Sequence, residues 1–463
     1  MTPSGRKASL LRLLTGYGML PVLVLLCILF SLLTLKEQTV TGAAGAAQVI
    51  DQLESEASAG RNLLLVTGGG KDELEFARVL SQTAQERGWT LDTVSGDPAT
   101  VRAALARLDS TGGGEFVIVT TSAYRPLVEQ LASQFPHLQG SPMESPARRR
   151  WPTFLLAENL RNVANQITVI AIIAIGMTMV IITAGIDLSV GSLIALSAVV
   201  IASVIGPLGG AAVSPGGVLL GALAALLVCA VIGAFSGVMV TSVRIPPFIA
   251  TLAMMQVAAG LAYIISQGKP IYQLPEGFVW LGRGVDPVFG IPIAVILMFV
   301  MYFLAWVVME RSVLGRHIYA VGGNPEAARL AGIRVKGVLL FVYTLSGLLA
   351  GLGGIIMASQ LKSGAPTYGL TYELYVIAAV VVGGTSLSGG EGKILGTLIG
   401  AFIIGVIQNG MNLTNIESYT QKVVLGLVIL AAVLFDRVKQ RGLRRSLVSV
   451  KPALPEKKES QLP

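Results

Sequence analysis

The chain has 463 residues, of which 53% are hydrophobic and only 13% charged, and a formal net charge of +8. Its mean hydropathy of +0.71 excludes an ordinary soluble enzyme, in which about a quarter of residues are charged. The positive charge does not mark a nucleic-acid binder, because the basic residues flank apolar runs, where a membrane protein carries them.

A bilayer core about 30 Å thick needs roughly 20 apolar residues per helix. The apolar pattern predicts helices at 17–35, 163–184, 191–206, 218–242, 246–266, 291–309, 338–359, 373–384, 394–410 and 421–435. The eighth is too short to span alone. The expectation is an all-α polytopic membrane protein of about ten transmembrane helices, with a small α/β extracytoplasmic insert.

Residues 1–16 carry Arg6, Lys7 and Arg12 and read as a cytoplasmic N-terminus. Residues 17–35 form the first transmembrane helix. The stretch also resembles a signal peptide ending near Ala44-Gly45-Ala46, but its apolar core of about 19 residues is long for that role, so a retained anchor is expected.

Residues 36–150 differ from the rest. They hold 14 of the chain's 26 acidic residues and 11 Lys/Arg. Strands are predicted at Leu63–Val66, Trp89–Val94 and Phe116–Val119, alternating with helices at Glu73–Gln85, Ala99–Leu108 and Arg125–Ser133. That alternation implies a small parallel α/β layer. Ser141–Arg150, with two prolines and three consecutive arginines, reads as a linker back to the membrane.

Residues 151–436 form the membrane core and 437–463 a basic cytoplasmic tail, carrying Arg437, Lys439, Arg441, Arg444 and Arg445. The segment 310–337 carries Arg311, Arg316, Arg329, Arg334 and Lys336. Lys and Arg favour the cytoplasmic side. With ten spans and six of them before 310–337, both termini and this loop face the cytoplasm. Loops at about 207–217, 267–290 and 360–372 then face outside, as does the insert.

Three stretches carry the chemistry. Thr183–Ser192 reads TAGIDLSVGS, and Asp187 is the only acid between Glu158 and Glu276. A charge at mid-helix costs about 2.5–3.5 kcal/mol on insertion scales, so it needs a partner or water. Two compatible readings are open. Asp187 lines a polar path at a helix break, with Gly185, Gly191 and Ser192 allowing the backbone to unwind; or Asp187 caps the next helix.

A related pattern, G-x-x-L-S-x-G, occurs at Gly185–Gly191 and at Gly384–Gly390. Two interrupted segments in separate halves point to a transporter built from repeats. In the loop 310–337, Asn324-Pro325 signals a helix start, Glu326 lies in the first turn, and Gly332 follows as a stop. This short helix suits docking to a partner, with Ala327, Leu330 and Ile333 three residues apart on one face. Cys27 and Cys229 read as packing residues, and His137 and His317 are too few for a histidine metal cluster. Gly68–Lys71 lacks P-loop spacing, and no G-x-S-x-G or HExxH motif occurs. No catalytic residue and no metal ligand is expected.

From Phe154 to about Asp436 the sequence resembles the permease subunits of ABC importers for ribose, xylose, galactose and related sugars. GMTMVIITAGIDLSVGSLIALSA (176–198), GRHIYAVGGNPEAARLAGIRV (315–335) and IAAVVVGGTSLSGGEGKILGTLIGAFIIGVIQNGMNL (377–413) carry the resemblance. It implies a bacterial inner-membrane protein with a second permease copy, ATPase subunits on another polypeptide that bind the ATP, and an extracytoplasmic solute-binding protein. This chain itself would need no cofactor. The resemblance places Gly322, Asn324, Glu326, Ala327, Leu330, Gly332 and Ile333 at the ATPase contact. It sets Asp187, Ser189, Gly191 and Ser192, with Gln408, Asn409 and Asn412, along the path. A sugar is neutral and rich in hydroxyls, which Ser, Asn, Gln and backbone groups suit. The chain departs from the family at 36–150, where a short external loop is usual; the insert looks like one lobe of a periplasmic sugar-binding protein and would dock the binding protein or act as a spacer. Other readings are a permease for a nucleoside or another small polar solute, and a membrane receptor sensing through the insert. An intramembrane enzyme using Asp187 is disfavoured, because no second acid is expected at comparable depth.

Overall fold

The structure, a computed structural model, describes residues 19–55, 62–110 and 116–448, with side chains of the last element described to Leu434. Expectations for residues 1–18 and 449–463 lie outside it. The chain divides into two compact units, one of them Thr34–Leu155 and the other the remainder.

Helix α1 (Leu20–Leu33) belongs to the larger unit. It is shorter than predicted, because Leu35 already lies in a strand.

The smaller unit begins with β1 (Leu35–Thr39) and α2 (Gly42–Ser55). It continues through β2 (Asn62–Thr67), α3 (Lys71–Arg87), β3 (Thr90–Ser95), α4 (Pro98–Ser110), β4 (Phe116–Thr120), α5 (Arg125–Ala132), β5 (Met143–Glu144) and β6 (Arg148–Pro152). Strands order as β3-β2-β4-β5, and every pairing is parallel. Successive side chains of a strand point to opposite faces, and β2 is apolar on both. Leu64 and Val66 pack with Val101, Leu105 and Val128 of α4 and α5. Leu63 and Leu65 pack with Val49, Leu53, Phe76 and Leu80 of α2 and α3. A parallel sheet covered on both faces needs this continuous apolar run. Helix α3 starts where Glu73 Oε2 accepts from the Gly70 amide at 3.1 Å. It ends at Gly88, whose φ of 70° suits glycine.

Two expectations are corrected in this unit. Ser141–Arg150 is not a linker: it supplies β5 and the start of β6. Strand β6 pairs antiparallel with β1, Lys36 opposite Trp151 and Gln38 opposite Arg149. The arginine run carries no apolar alternation, so nothing local announced a strand. Helix α2 was also missed, because its Ala/Gly-rich first half lacks a strong helical stripe.

The larger unit continues with α6 (Ala157–Ile182), α7 (Val190–Ile205), α8 (Pro215–Val238), α9 (Pro247–Ser266), α10 (Glu276–Arg283), α11 (Ile293–Trp306), α12 (Val313–Gly323), α13 (Pro325–Leu330), α14 (Val335–Leu361), α15 (Tyr372–Val382), α16 (Ile394–Leu413) and α17 (Ser418–Val448). Helices α8 and α11 end in π turns, extending to Val243 and Arg311. Among the described residues six helices are long and apolar enough to cross a membrane: α6, α8 and α11 with their π turns, α9, α14 and α16. Three more apolar helices, α1, α7 and α15, are shorter, and α17 is apolar over Ser418–Leu434. All ten apolar segments are thus helical.

Helix α14 sits at the centre and packs on α6, α7 and α8. Small residues permit the close approach, as is usual between helices in lipid. Gly233 and Gly237 of α8 face Tyr343, Gly347 and Leu340 of α14, and a Cβ on Gly351 would come within 2.9 Å of Cys229 Cβ. Cys229 is thus a packing residue, its thiol 3.6 Å from the Leu193 carbonyl.

The stretch 360–372, expected to be a loop, is buried from Ser363 to Pro366 and again at Gly369. Gly364 packs against Ala198 and Ala202, and Gly369 against Gly191 and Ile194. The segment therefore runs along α7 for about 16 Å at 1.5 Å per residue. This explains why α15 is short: it starts deep in the bundle. The segment 310–337 likewise holds two helices rather than one, since α12 precedes the predicted α13.

Candidate functional site

Two helix breaks form the centre of the candidate site. Helix α6 ends in a Schellman turn: the Gly185 amide donates to the Val180 carbonyl at 3.0 Å and the Ala184 amide to Ile181 at 2.9 Å. Helix α15 ends the same way, with Thr385 donating to Val380 at 3.2 Å and Gly384 to Val381 at 2.9 Å. Ala184 and Gly384 take the left-handed position, at φ 60° and 90°. A side-chain turn follows each. Asp187 Oδ1 accepts from the Ser189 amide at 3.0 Å, and Ser386 Oγ accepts from the Ser388 amide at 3.2 Å. Asp187 and Ser386 hold matching places in the shared G-x-x-L-S-x-G pattern, whereas the left-handed residue precedes the pattern in the first break and is its first glycine in the second.

The breaks touch. The Gly390 amide donates to the Ile182 carbonyl at 2.8 Å. Gly322 of α12 lies buried at this junction, where a Cβ would collide with the Ile182 carbonyl and come 2.8 Å from the Gly390 nitrogen. Beside it the Tyr319 hydroxyl donates to the Gly392 carbonyl at 2.8 Å. Burial, and then the Glu310 carboxylate, raise the Tyr319 phenol above its ordinary pKa, so it stays a donor at neutral pH.

Asp187 is only 1% exposed. Its Oδ1 also accepts from Ser189 Oγ at 2.6 Å, and its Oδ2 accepts from Ser346 Oγ of α14 at 2.8 Å. Three donors meet the need of a buried carboxylate for partners. The capping expectation is corrected: the residue before α7 is Ser189, no side chain caps that helix, and Asp187 instead closes the turn preceding it. Its depth follows from Ser346, whose Cα would lie 2.8 Å from a Cβ on Gly176. Gly176 is six residues before the end of α6, so Asp187 lies about 9 Å inside that end. The break climbs back into the bundle before α7 begins. Thr251 of α9 anchors it further, donating to the Ile186 carbonyl at 3.1 Å. The Tyr343 hydroxyl packs on Gly185 and, among the described residues, has no hydrogen-bond partner.

Among the other predicted path residues, Ser189 is buried in the Asp187 turn, Gly191 is buried against Gly369 and Glu373, and Ser192 is half-buried. Gln408 and Asn409 are half-buried and Asn412 exposed, near the far end of α16. Asn409 and Asn159 exchange hydrogen bonds of 2.9 and 3.1 Å. Asn412 Oδ1 accepts from Gln421 at 2.8 Å. Asn159 lies at the start of α6 and Asp187 just past its end. The structure therefore divides the predicted path residues into two groups at opposite ends of α6.

The predicted docking residues lie in α13 and its flanks. Asn324 Oδ1 caps α13, accepting from the amides of Glu326 at 3.1 Å and Ala327 at 3.0 Å. Glu326 pairs with Arg329 at 2.8 Å on the exposed face, a contact of little energetic weight. Leu330 is 85% exposed. Gly332 turns the chain at φ 85°. Ile333 is half-buried and lines a cleft of about 320 Å³ with Leu314, His317 and Val338. Gly322 stands apart as the buried junction residue.

Sequence reading missed Ser346, Tyr319 and Glu373. Ser346 lies among the small residues Gly347, Ala350 and Gly351, which mark close helix packing. Glu373 was missed because it stands at the very start of the predicted helix 373–384, where an acid reads as an exposed helix end. Among the described residues no group of three His, Cys, Asp or Glu is placed to hold a metal.

A family model described as "Branched-chain amino acid transport system / permease component" matches residues 159–433. The chain is 47% identical over 293 residues to the ribose import permease protein RbsC of Escherichia coli K12, covering 62% of this chain and 88% of that protein. It is 47% identical over 290 residues to RbsC of Bacillus subtilis 168, covering 62% and 87%. It is 40% identical over 293 residues to the L-arabinose transport system permease protein AraH of Escherichia coli K12, covering 63% and 87%. No solved structure matches the chain.

Proposed function

The chain belongs to the branched-chain amino acid transport system permease family, and from that premise we propose that it is the membrane subunit of an ATP-driven importer for a monosaccharide. The observation that carries the sugar is the 40–47% identity to ribose and arabinose permeases over most of their length. A receptor would not need two matched helix breaks.

In this reading the chain spans the inner membrane with both termini in the cytoplasm. All ten apolar helices lie within the membrane, α7 and α15 entering from breaks inside the bundle. The unit 34–155 lies outside, where a solute-binding protein delivers the sugar. The chain pairs with a second permease copy and with ATPase subunits. ATP hydrolysis on those subunits pulls on α13 through Leu330 and Ile333. Helix α12 carries that movement to the junction of Gly322, Ile182 and Gly390. Because both breaks meet there, a shift of α12 loads both at once. Asp187, Ser189 and Ser192 then form the inner part of the path, and Gln408, Asn409 and Asn412 its outer part. A closed Asp187–Ser346 contact seals the inner part between cycles.

The test is uptake in cells lacking their own pentose and hexose importers. Expressing the chain with its ATPase and binding protein is expected to restore uptake of at least one sugar, dependent on ATP. Uptake of nucleosides but of no sugar would overturn the substrate class.

A further inference from the structure

We propose that Glu373 is a solute-contact residue at the start of α7, its carboxylate accepting hydrogen bonds from the hydroxyl groups of a neutral polyhydroxy solute. The proposal rests on the permease reading and gives it a specificity-determining contact.

Glu373 lies in the first turn of α15, a helix that begins inside the bundle because the segment before it runs down α7. A Cβ on Gly191 would collide with Glu373 Oε2, which fixes the carboxylate against the start of α7. Gly191 lies four residues beyond Asp187, itself about 9 Å inside the end of α6. So a second carboxylate packs at the start of α7, in a very different setting from the first. Asp187 is buried and held by three donors. Glu373 is half-buried and, among the described residues, forms no ion pair.

An ionisable residue at membrane depth is expensive to keep, and its usual role is in a solute or ion pathway. Irregular backbone at that depth is tolerated where it is packed in protein or lines a water-filled cavity. The segment Ser363–Thr371 is such backbone, with left-handed residues at Gly369 and Thr371. A carboxylate in this setting accepts from the hydroxyls of a sugar through charge-assisted hydrogen bonds. A site built to hydrogen-bond a hydroxyl discriminates strongly against analogues lacking or misplacing it.

The experiment measures maximal uptake rates in the complete importer, at saturating solute, for a set of pentoses and hexoses that differ pairwise at one hydroxyl. The variants are Glu373→Gln and Glu373→Ala, each corrected for the amount in the membrane. Glu373→Ala is expected to lower the best rate about tenfold or more. Glu373→Gln is expected to change the ratio between epimers by about threefold or more. The ratio is the decisive quantity, because partial misfolding scales all solutes equally. A fall in every rate by one common factor, or unchanged rates and ratios, overturns the site. If the wild-type importer takes up no sugar at all, the fault lies with the sugar reading.

Discussion

The Gly390 amide lies 2.8 Å from the Ile182 carbonyl. This bond joins two helix ends that are more than two hundred residues apart in the chain. It is possible only because Gly322, Gly389 and Gly390 carry no side chain there: Cβ atoms would press on the Ile182 carbonyl, Ala184 and Gly323. Overpacking a tight contact costs about 1–3 kcal/mol. Gly322→Val is therefore expected to lower the melting temperature of the purified chain measurably, whereas Tyr319→Phe, which removes one hydrogen bond worth about 0.5–1.5 kcal/mol, is expected to shift it little. A Gly322→Val protein as stable as wild type would show that the junction is slack.

Asp187 is predicted to be more tolerant of loss of charge than of loss of oxygen. Asp187→Asn keeps an acceptor for the Ser189 amide and hydroxyl, and Ser346 can turn to accept from the new amide. Asp187→Leu strands the Ser189 and Ser346 donors, at about 1–3 kcal/mol for each buried group left unpaired. The Leu variant is expected to reach the membrane at reduced levels, as read by immunoblot, and the Asn variant at normal levels. An Asn variant that accumulates but does not transport would show that the charge itself acts on the path. Normal accumulation and transport by the Leu variant would remove Asp187 from both roles.

Leu330 sits 85% exposed on α13, one face away from the buried Ala328. Leu330→Asp touches no core contact, so membrane levels should not change. Co-purification of the ATPase subunits and uptake should both fall sharply, because a charge would enter an apolar contact. Glu326→Ala, on the exposed face, should be much milder, since a charge near a helix N-terminus contributes about 0.3–1 kcal/mol. Retained co-purification by Leu330→Asp would place the coupling contact elsewhere.

Hydropathy alone located every apolar helix of the larger unit, because a helix in lipid satisfies its own backbone and its apolar length is a local property. The strand–helix alternation from Leu63 to Ala132 was legible for a related reason: β2 and β4 are buried on both faces and read as short apolar runs. Asn324-Pro325 and Gly332 marked α13 because caps and left-handed turns depend on residue type. The contacts that organise the candidate site had no such signal. Asp187 meets Ser346 across 159 residues, and Tyr319 meets Gly392 across 73. The arginine strand β6 finds β1 only after the chain has folded back. Ser363–Thr371 has the proline, glycine and polar content of a surface turn, yet it descends along α7. A turn that runs into a bundle and one that stays outside share their local chemistry. Tertiary packing decides between them, through the glycines that let two backbones approach: Gly191, Gly364 and Gly369 leave room along α7 for the segment that carries Glu373 to depth.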